Sequence, residues 1–186
     1  MKQLLAFILI IILVNGLCLS CTEPVDFDQI NDVEITPVVA SSLIFFDEAA
    51  PVFFDGVNQI ITIKDQLQID FFNDAFIVDN LVKSEFVFEI SNTINRGFNM
   101  RIDFLNDANN LQHITTISVP ASLNNQNVKT NYTEVFQGTT LTALKNTSIL
   151  VFTLNMLPGT PINQNTLGRI SVKSKAVFYL KIENSI

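Results

Sequence analysis

The sequence predicts an all-β fold, an antiparallel β-sandwich with one or two short connecting helices. Three observations carry this. Apolar and polar residues alternate with period two over at least five runs, the pattern of strands buried on one face. Clusters of Asn, Asp, Gly and Pro separate the runs, as turns between antiparallel strands require. With 48% hydrophobic and 16% charged residues in 186, the chain has enough apolar material for one substantial core and is not a disordered polymer.

The clearest strand spans residues 85–91, with Phe86, Phe88 and Ile90 on one face and Glu85 and Glu89 on the other. Met100, Ile102 and Phe104 alternate with Arg101 and Asp103. Leu150, Phe152, Leu154 and Met156 share a face, and Ile170, Val172, Ala176, Phe178, Leu180 and Ile182 form a last long run. Between the first two strands, Asn95-Arg96-Gly97 reads as a hairpin tip. Asn106-Asp107-Ala108-Asn109-Asn110 reads as a turn, Asn124–Asn127 as a polar loop and Pro158-Gly159-Thr160-Pro161 as a break. Residues 73–82 and 140–146 have spacing nearer the helical period, the second capped by Thr139 or Thr140. Over residues 86–116, the order of a strand ending in Asn92, a second strand, an Asp-containing turn and a third strand loosely resembles the water-stress, late-embryogenesis-abundant β-sandwiches. Their Asn-Pro-Asn element is replaced here by Asn92-Thr93-Ile94, and no function follows from the resemblance.

The start of the chain has a different character. Lys2 precedes an apolar run from Leu4 to Val14, of signal-peptide length and too short for the roughly 20 residues of a bilayer span. Asn15 and Gly16 break the run, and Leu17-Cys18-Leu19-Ser20-Cys21 follows. This resembles a bacterial lipoprotein signal, in which a Cys thiol is acylated and the chain is cut just before it. The resemblance implies residues 1–20 as signal peptide and Cys21 as the lipidated residue, because small Ser20 precedes it while bulky Leu17 precedes Cys18. Departures from the family pattern are Leu19, one position late, and Cys18 where Leu is usual. Use of Asn, Ile, Phe and Lys, with acidic residues after Cys21, resembles Bacteroidetes-type lipoproteins. Placement in a Gram-negative envelope is implied, at the outer membrane, facing either the periplasm or the exterior. Each buried acyl CH₂ contributes about 0.8 kcal/mol, so two chains or more anchor firmly. Residues 21–35, with Glu23, Asp26, Asp28, Asp32 and Glu34, read as an acidic tether, and residues 36–186 as the sandwich domain.

Charge is divided along the chain. Residues 21–91 hold 14 acidic residues and 2 lysines, whereas residues 92–186 hold 4 acidic and 8 basic ones. Opposite charges on neighbouring strands would neutralise each other. The alternative is a basic face of Arg169, Lys173, Lys175 and Lys181 that docks on an acidic partner. A net charge of -7 argues against nucleic-acid binding.

Catalytic chemistry is sparse. His113 is the single histidine, no Gly-x-Ser-x-Gly motif occurs, and 6 glycines in all form no phosphate-binding loop. Asp47-Glu48 and Asp26/Asp28 are carboxylate pairs by proximity only, read as solvated. Asn106, Asp107, Asn109 and Asn110 offer oxygens to a cation, but turn chemistry explains the same residues. Neither metal nor cofactor is expected.

Phenylalanine stands out, with 16 in the chain and doublets at Phe45-Phe46, Phe53-Phe54 and Phe71-Phe72. On a strand each doublet would send one ring inward and one outward. The second ring is then either covered by the rest of the chain or part of an apolar contact surface. The sequence therefore points to a noncatalytic envelope lipoprotein, a structural or accessory subunit binding another envelope protein. The alternative is a binding module for an apolar ligand such as a lipid, or for a glycan.

Overall fold

A computed structural model describes residues 34–183. Cys21, the signal segment and nearly all of the tether lie outside the described residues. Among the described residues ten strands, two short helices and two 3-10 turns follow in order: β1 (Glu34–Ile35), β2 (Val38–Ala49), a 3-10 turn (Ala50–Phe53), β3 (Thr62–Gln68), a 3-10 turn (Phe71–Asn73), α1 (Ala75–Asn80), β4 (Leu81–Asn92), β5 (Phe98–Leu105), β6 (Leu111–Val119), β7 (Val128–Phe136), α2 (Thr139–Lys145), β8 (Ile149–Met156), β9 (Arg169–Leu180) and β10 (Ile182–Glu183).

The fold is an all-β sandwich of two antiparallel sheets. One has the order β2-β9-β4-β7, the other β3-β8-β5-β6, and β1 pairs separately with β10. The inward positions of the alternating runs make the core. Phe86, Phe88 and Ile90 of β4 meet Phe98, Ile102 and Phe104 of β5, with Leu150 and Phe152 of β8 and Ile170, Val172 and Phe178 of β9. Ala176 lies opposite Phe86 in the register, so a small side chain makes room beside a large ring.

The expected hairpin at Asn95-Arg96-Gly97 is instead a crossover between sheets. β4 pairs with β7 and β9, whereas β5 pairs with β6 and β8. Buried polar side chains hold this crossing. Asn92 Nδ2 donates to the carbonyls of Arg96 and Pro120, both at 2.8 Å, and Asn92 Oδ1 accepts from the Ile94 amide at 2.9 Å. The Arg96 side chain, 6% exposed, donates to the carbonyls of Leu157 and Thr160. The Pro158–Pro161 break thus lies over Arg96. Gly168, at φ +103°, is required where it stands: a Cβ there would meet the Thr93 carbonyl oxygen at 2.5 Å.

Both predicted helices form, each shorter or shifted at an end. Val82, expected in the first, belongs to β4. Asp74 caps α1 by accepting from the Phe76 amide at 2.9 Å. The N-cap of α2 is Gly138, not a threonine. The Thr140 hydroxyl instead turns back to Gln137, accepting from its amide at 3.0 Å and donating to its carbonyl at 2.9 Å. Among the described residues no helix is long and apolar enough to cross a membrane.

Candidate functional site

Strand β2 is an edge of its sheet, bonded on one side to β9. Its ladder has one irregularity. Ser42 opposes Lys175 and Phe45 opposes Lys173, so Leu43 and Ile44 together face the single residue Ser174. This is a β-bulge, in which two residues stand against one. The Ser174 hydroxyl fills the gap, accepting from the Ile44 amide at 3.0 Å and donating to the Ile44 carbonyl at 3.3 Å. The extra residue shifts the alternation by one. Phe45 therefore shares the outer face with Lys173 and is 69% exposed, while Phe46 turns inward opposite Val172.

The other doublets follow a different rule, because neither lies on a strand. Phe53 ends the 3-10 turn that begins at Ala50 with Pro51 next in it, is fully buried, and packs on Phe98 at 4.9 Å between ring centroids. Phe54 is half-buried. Phe71 and Phe72 sit in the second 3-10 turn and both contact Phe178, Phe71 stacked at 4.0 Å and Phe72 edge-on at 5.9 Å. Strand parity does not apply to these two pairs. Of the six rings, Phe45 alone is largely exposed.

Beneath β2, at the seam between the β2 and β3 edges, lies a small apolar hollow of about 40 Å³. Ile44, Phe46, Ile63, Met100, Phe152 and Leu154 line it, with Asp65 at its margin. Among the described residues no side-chain hydrogen bond joins β2 to β3.

The opposite seam, between β6 and β7, is closed by polar groups. His113 Nε2 lies 3.0 Å from Glu134 Oε1, and the Tyr132 hydroxyl donates to Glu134 Oε2 at 2.6 Å. The His113 ring packs on Phe104 and Phe136, at 5.3 and 5.1 Å. The Glu134 carboxylate accepting from Tyr132, with partial burial, pushes that phenol up to about 12. His113 is thus built into the packing between the sheets.

The basic residues are distributed along the outer face of β9 and just beyond it. Arg169 Nε is 2.7 Å from Asp47 Oδ1, and this hydrogen bond raises the guanidinium pKa further above its usual value. Lys173 and Lys175 project from the same face; Lys173 is flanked in the register by Phe45 on β2 and Glu89 on β4. Among the described residues neither lysine forms an ion pair. Lys181 lies past the end of β9, between it and β10, its amide donating to the Asn80 carbonyl. Farther along, Lys83 pairs with Glu85 at 2.6 Å, and the Tyr179 hydroxyl donates to Glu85 at 3.1 Å. Bonding to Lys83 lowers the Glu85 carboxyl, and bonding to Glu85 raises Lys83. The outer face is therefore a mixture of neutralised pairs with an aromatic–lysine patch at Phe45, Lys173 and Lys175. The sequence reading missed Ser174 as the residue that sets this patch; a lone serine in an alternating strand gives no signal of a bulge on its neighbour.

The Asn-rich turn uses its oxygens internally. Asn106 Oδ1 accepts from the amides of Ala108 and Asn110, at 3.1 and 2.9 Å, and Asn109 takes the left-handed conformation. Among the described residues no three His, Cys, Asp or Glu side chains gather around a point.

No family model matches the chain, and no curated protein matches it. Similar solved structures exist. The infectious bursal disease virus VP2 subviral particle protein is 8% identical, at a TM-score of 0.48, over 78% of this chain and 32% of that one. A chain from the Gx strain of that virus is 10% identical, at 0.44, over 83% and 34%. The enzymatically active domain of tailspike protein 4 from bacteriophage CBA120 is 12% identical, at 0.36, over 79% and 19%. The chain thus spans about a third or less of the length of these proteins, and nothing of their roles passes to it.

Proposed function

We propose that this chain is a noncatalytic envelope lipoprotein, anchored through lipid on Cys21, whose sandwich domain docks another envelope protein on β2. The observation that supports docking is Phe45, 69% exposed on a sheet edge beside two lysines that form no ion pair among the described residues. Val38 and Val39 extend exposed apolar surface along the same strand. An open edge offers backbone donors and acceptors to an added strand, and side-chain patches beside it give selectivity. The lysines suit a partner with acidic residues next to the strand it adds. The lipid-binding alternative has weaker support. The hollow under β2 holds about 40 Å³, against the roughly 300–1,000 Å³ of small-molecule sites. A noncatalytic role accords with His113, which is committed to holding the two sheets together.

The test is crosslinked co-purification of the full-length lipidated protein at native expression, read by mass spectrometry, beside Phe45→Glu and Lys173→Glu. A stoichiometric envelope protein that either substitution strips away is the expected result. A partner retained equally by both variants, or no protein partner at all, overturns the reading. Palmitate labelling tests the anchor separately: Cys21→Ala should abolish incorporation and Cys18→Ala should leave it.

A further inference from the structure

We propose that a polar cleft at one end of the sandwich is a saccharide-binding site, separate from β2. The cleft, about 490 Å³, lies where the Phe71–Asn73 turn, the β5–β6 turn and the segment leading from α2 into β8 come together. That volume falls within the range, roughly 300–1,000 Å³, of small-ligand sites.

The state of its side chains carries the inference. Asp107 and Lys145 both line the cleft, yet among the described residues neither has an ion-pair partner. The side-chain amides of Asn73 and Asn146 also make no hydrogen bond among the described residues. Gln112 donates through Nε2 to the Asn110 carbonyl at 3.0 Å, which leaves its own carbonyl oxygen available. Ser148 is 7% exposed, and its hydroxyl, buried beneath the cleft, has no hydrogen-bond partner among the described residues. Asn73, Asp107 and Asn146 are exposed and Lys145 and Gln112 half-buried, so water is the present partner of these groups and a ligand hydroxyl can replace it. Asn106 Oδ1 and the Thr147 hydroxyl are bonded within the chain, and the side chains of Asn73, Asp107, Lys145 and Asn146 are the ones this concavity leaves to solvent.

The mixture selects the ligand class. A polyanion would meet Asp107 and find one cation. A metal ion would meet Lys145 and find one carboxylate. An apolar molecule would find the edge of Phe72, itself 8% exposed, and the methyl of Ala108. A sugar hydroxyl donates and accepts at the same oxygen, so a neutral saccharide needs this combination of carboxylate and amide acceptors with ammonium and amide donors. The exposed Ala108 methyl would receive its C–H face. Asp107 would accept from adjacent hydroxyls, and Lys145 would donate to one.

The experiment is calorimetric titration of the full-length chain, in a detergent without a sugar headgroup, with cellobiose, maltotriose, N,N′-diacetylchitobiose and lactose. At least one should bind saturably with a Kd of about 1 mM or tighter. Asp107→Ala and Lys145→Ala should each weaken that binding at least about tenfold without changing Tm, and Phe45→Glu should leave it unaltered. Failure of every probe to bind at about 20 mM, or equal binding by the Asp107 and Lys145 variants, overturns the proposal.

Discussion

The two seams of the sandwich are closed in opposite ways. Between β6 and β7 a histidine, a glutamate and a tyrosine bridge the sheets, and Phe104, Phe136 and His113 pack ring against ring beneath them. Between β2 and β3 half-buried aliphatic groups and Phe46 meet around a small hollow, and no side-chain hydrogen bond among the described residues crosses. A hydrogen bond between edges fixes one geometry, while apolar contact tolerates several. The first seam therefore belongs to stability, and the second is where an incoming strand could add with little internal bonding to displace.

The sharpest way to break this contrast is to remove a ring from the closed seam. Phe136 is fully buried against Phe86, Phe104 and His113. Phe136→Ala should cost about 3–5 kcal/mol in denaturant unfolding. Phe46→Ala, at the half-buried open seam, should cost less, about 1–2 kcal/mol by the same measurement. Equal losses would show that the two seams are equally tight. Glu134→Gln keeps the shape but removes the charged acceptor shared by His113 and Tyr132, at about 1 kcal/mol.

The same carboxylate makes an alkaline prediction. The Tyr132 phenol stands at about 12 in the folded protein, against 10.0 for the free group. Below pH 10 both states are protonated, and the hydrogen bond contributes fully. As pH rises toward 12, the unfolded chain loses the proton first, so this contribution to stability falls and is lost. Equilibrium unfolding from pH 9 to 12 should show the decline, and Glu134→Gln should flatten it. The smallest effect is expected at Phe45. Phe45→Ala should shift unfolding by no more than about 0.5 kcal/mol, since the ring is largely in solvent. A drop of several kcal/mol would place that ring in the core and remove it from any docking surface.

How far the sequence could reach follows from the range of each interaction. The faces of β4, β5, β8 and β9 were legible because alternation is local: each residue's side is set by its neighbours along the strand. The sheet in which a strand lies is a long-range matter. Asn95-Arg96-Gly97 has hairpin composition, yet Asn92 and Arg96 bond to carbonyls at Pro120, Leu157 and Thr160, far away in the chain. The Phe doublets divide on the same principle. Parity was a sound rule at Phe45-Phe46, though which ring points outward depends on Ser174, 130 residues from Ile44. At Phe53-Phe54 it failed because Phe53 closes the Ala50–Phe53 3-10 turn, with Pro51 in its first positions, and the residues of such a turn are not arranged on two sides. The polar cleft was only half visible. Its Asn106–Asn110 turn could be read directly, but Asn73, Lys145 and Ser148 meet it only through the tertiary fold.

The bulge on β2 also bears on how this strand can change length. β2 carries one residue more than β9 needs between Ser42 and Phe45. A single-codon deletion at Leu43 would therefore leave Ser42 opposite Lys175 and Phe45 opposite Lys173, with every other side chain on its present face. The same deletion elsewhere in β2 would turn one end of the strand inside out, moving core groups into water. Lineages of this protein that shorten β2 should do so at residues 43–44, and those that do should no longer need a hydroxyl at position 174.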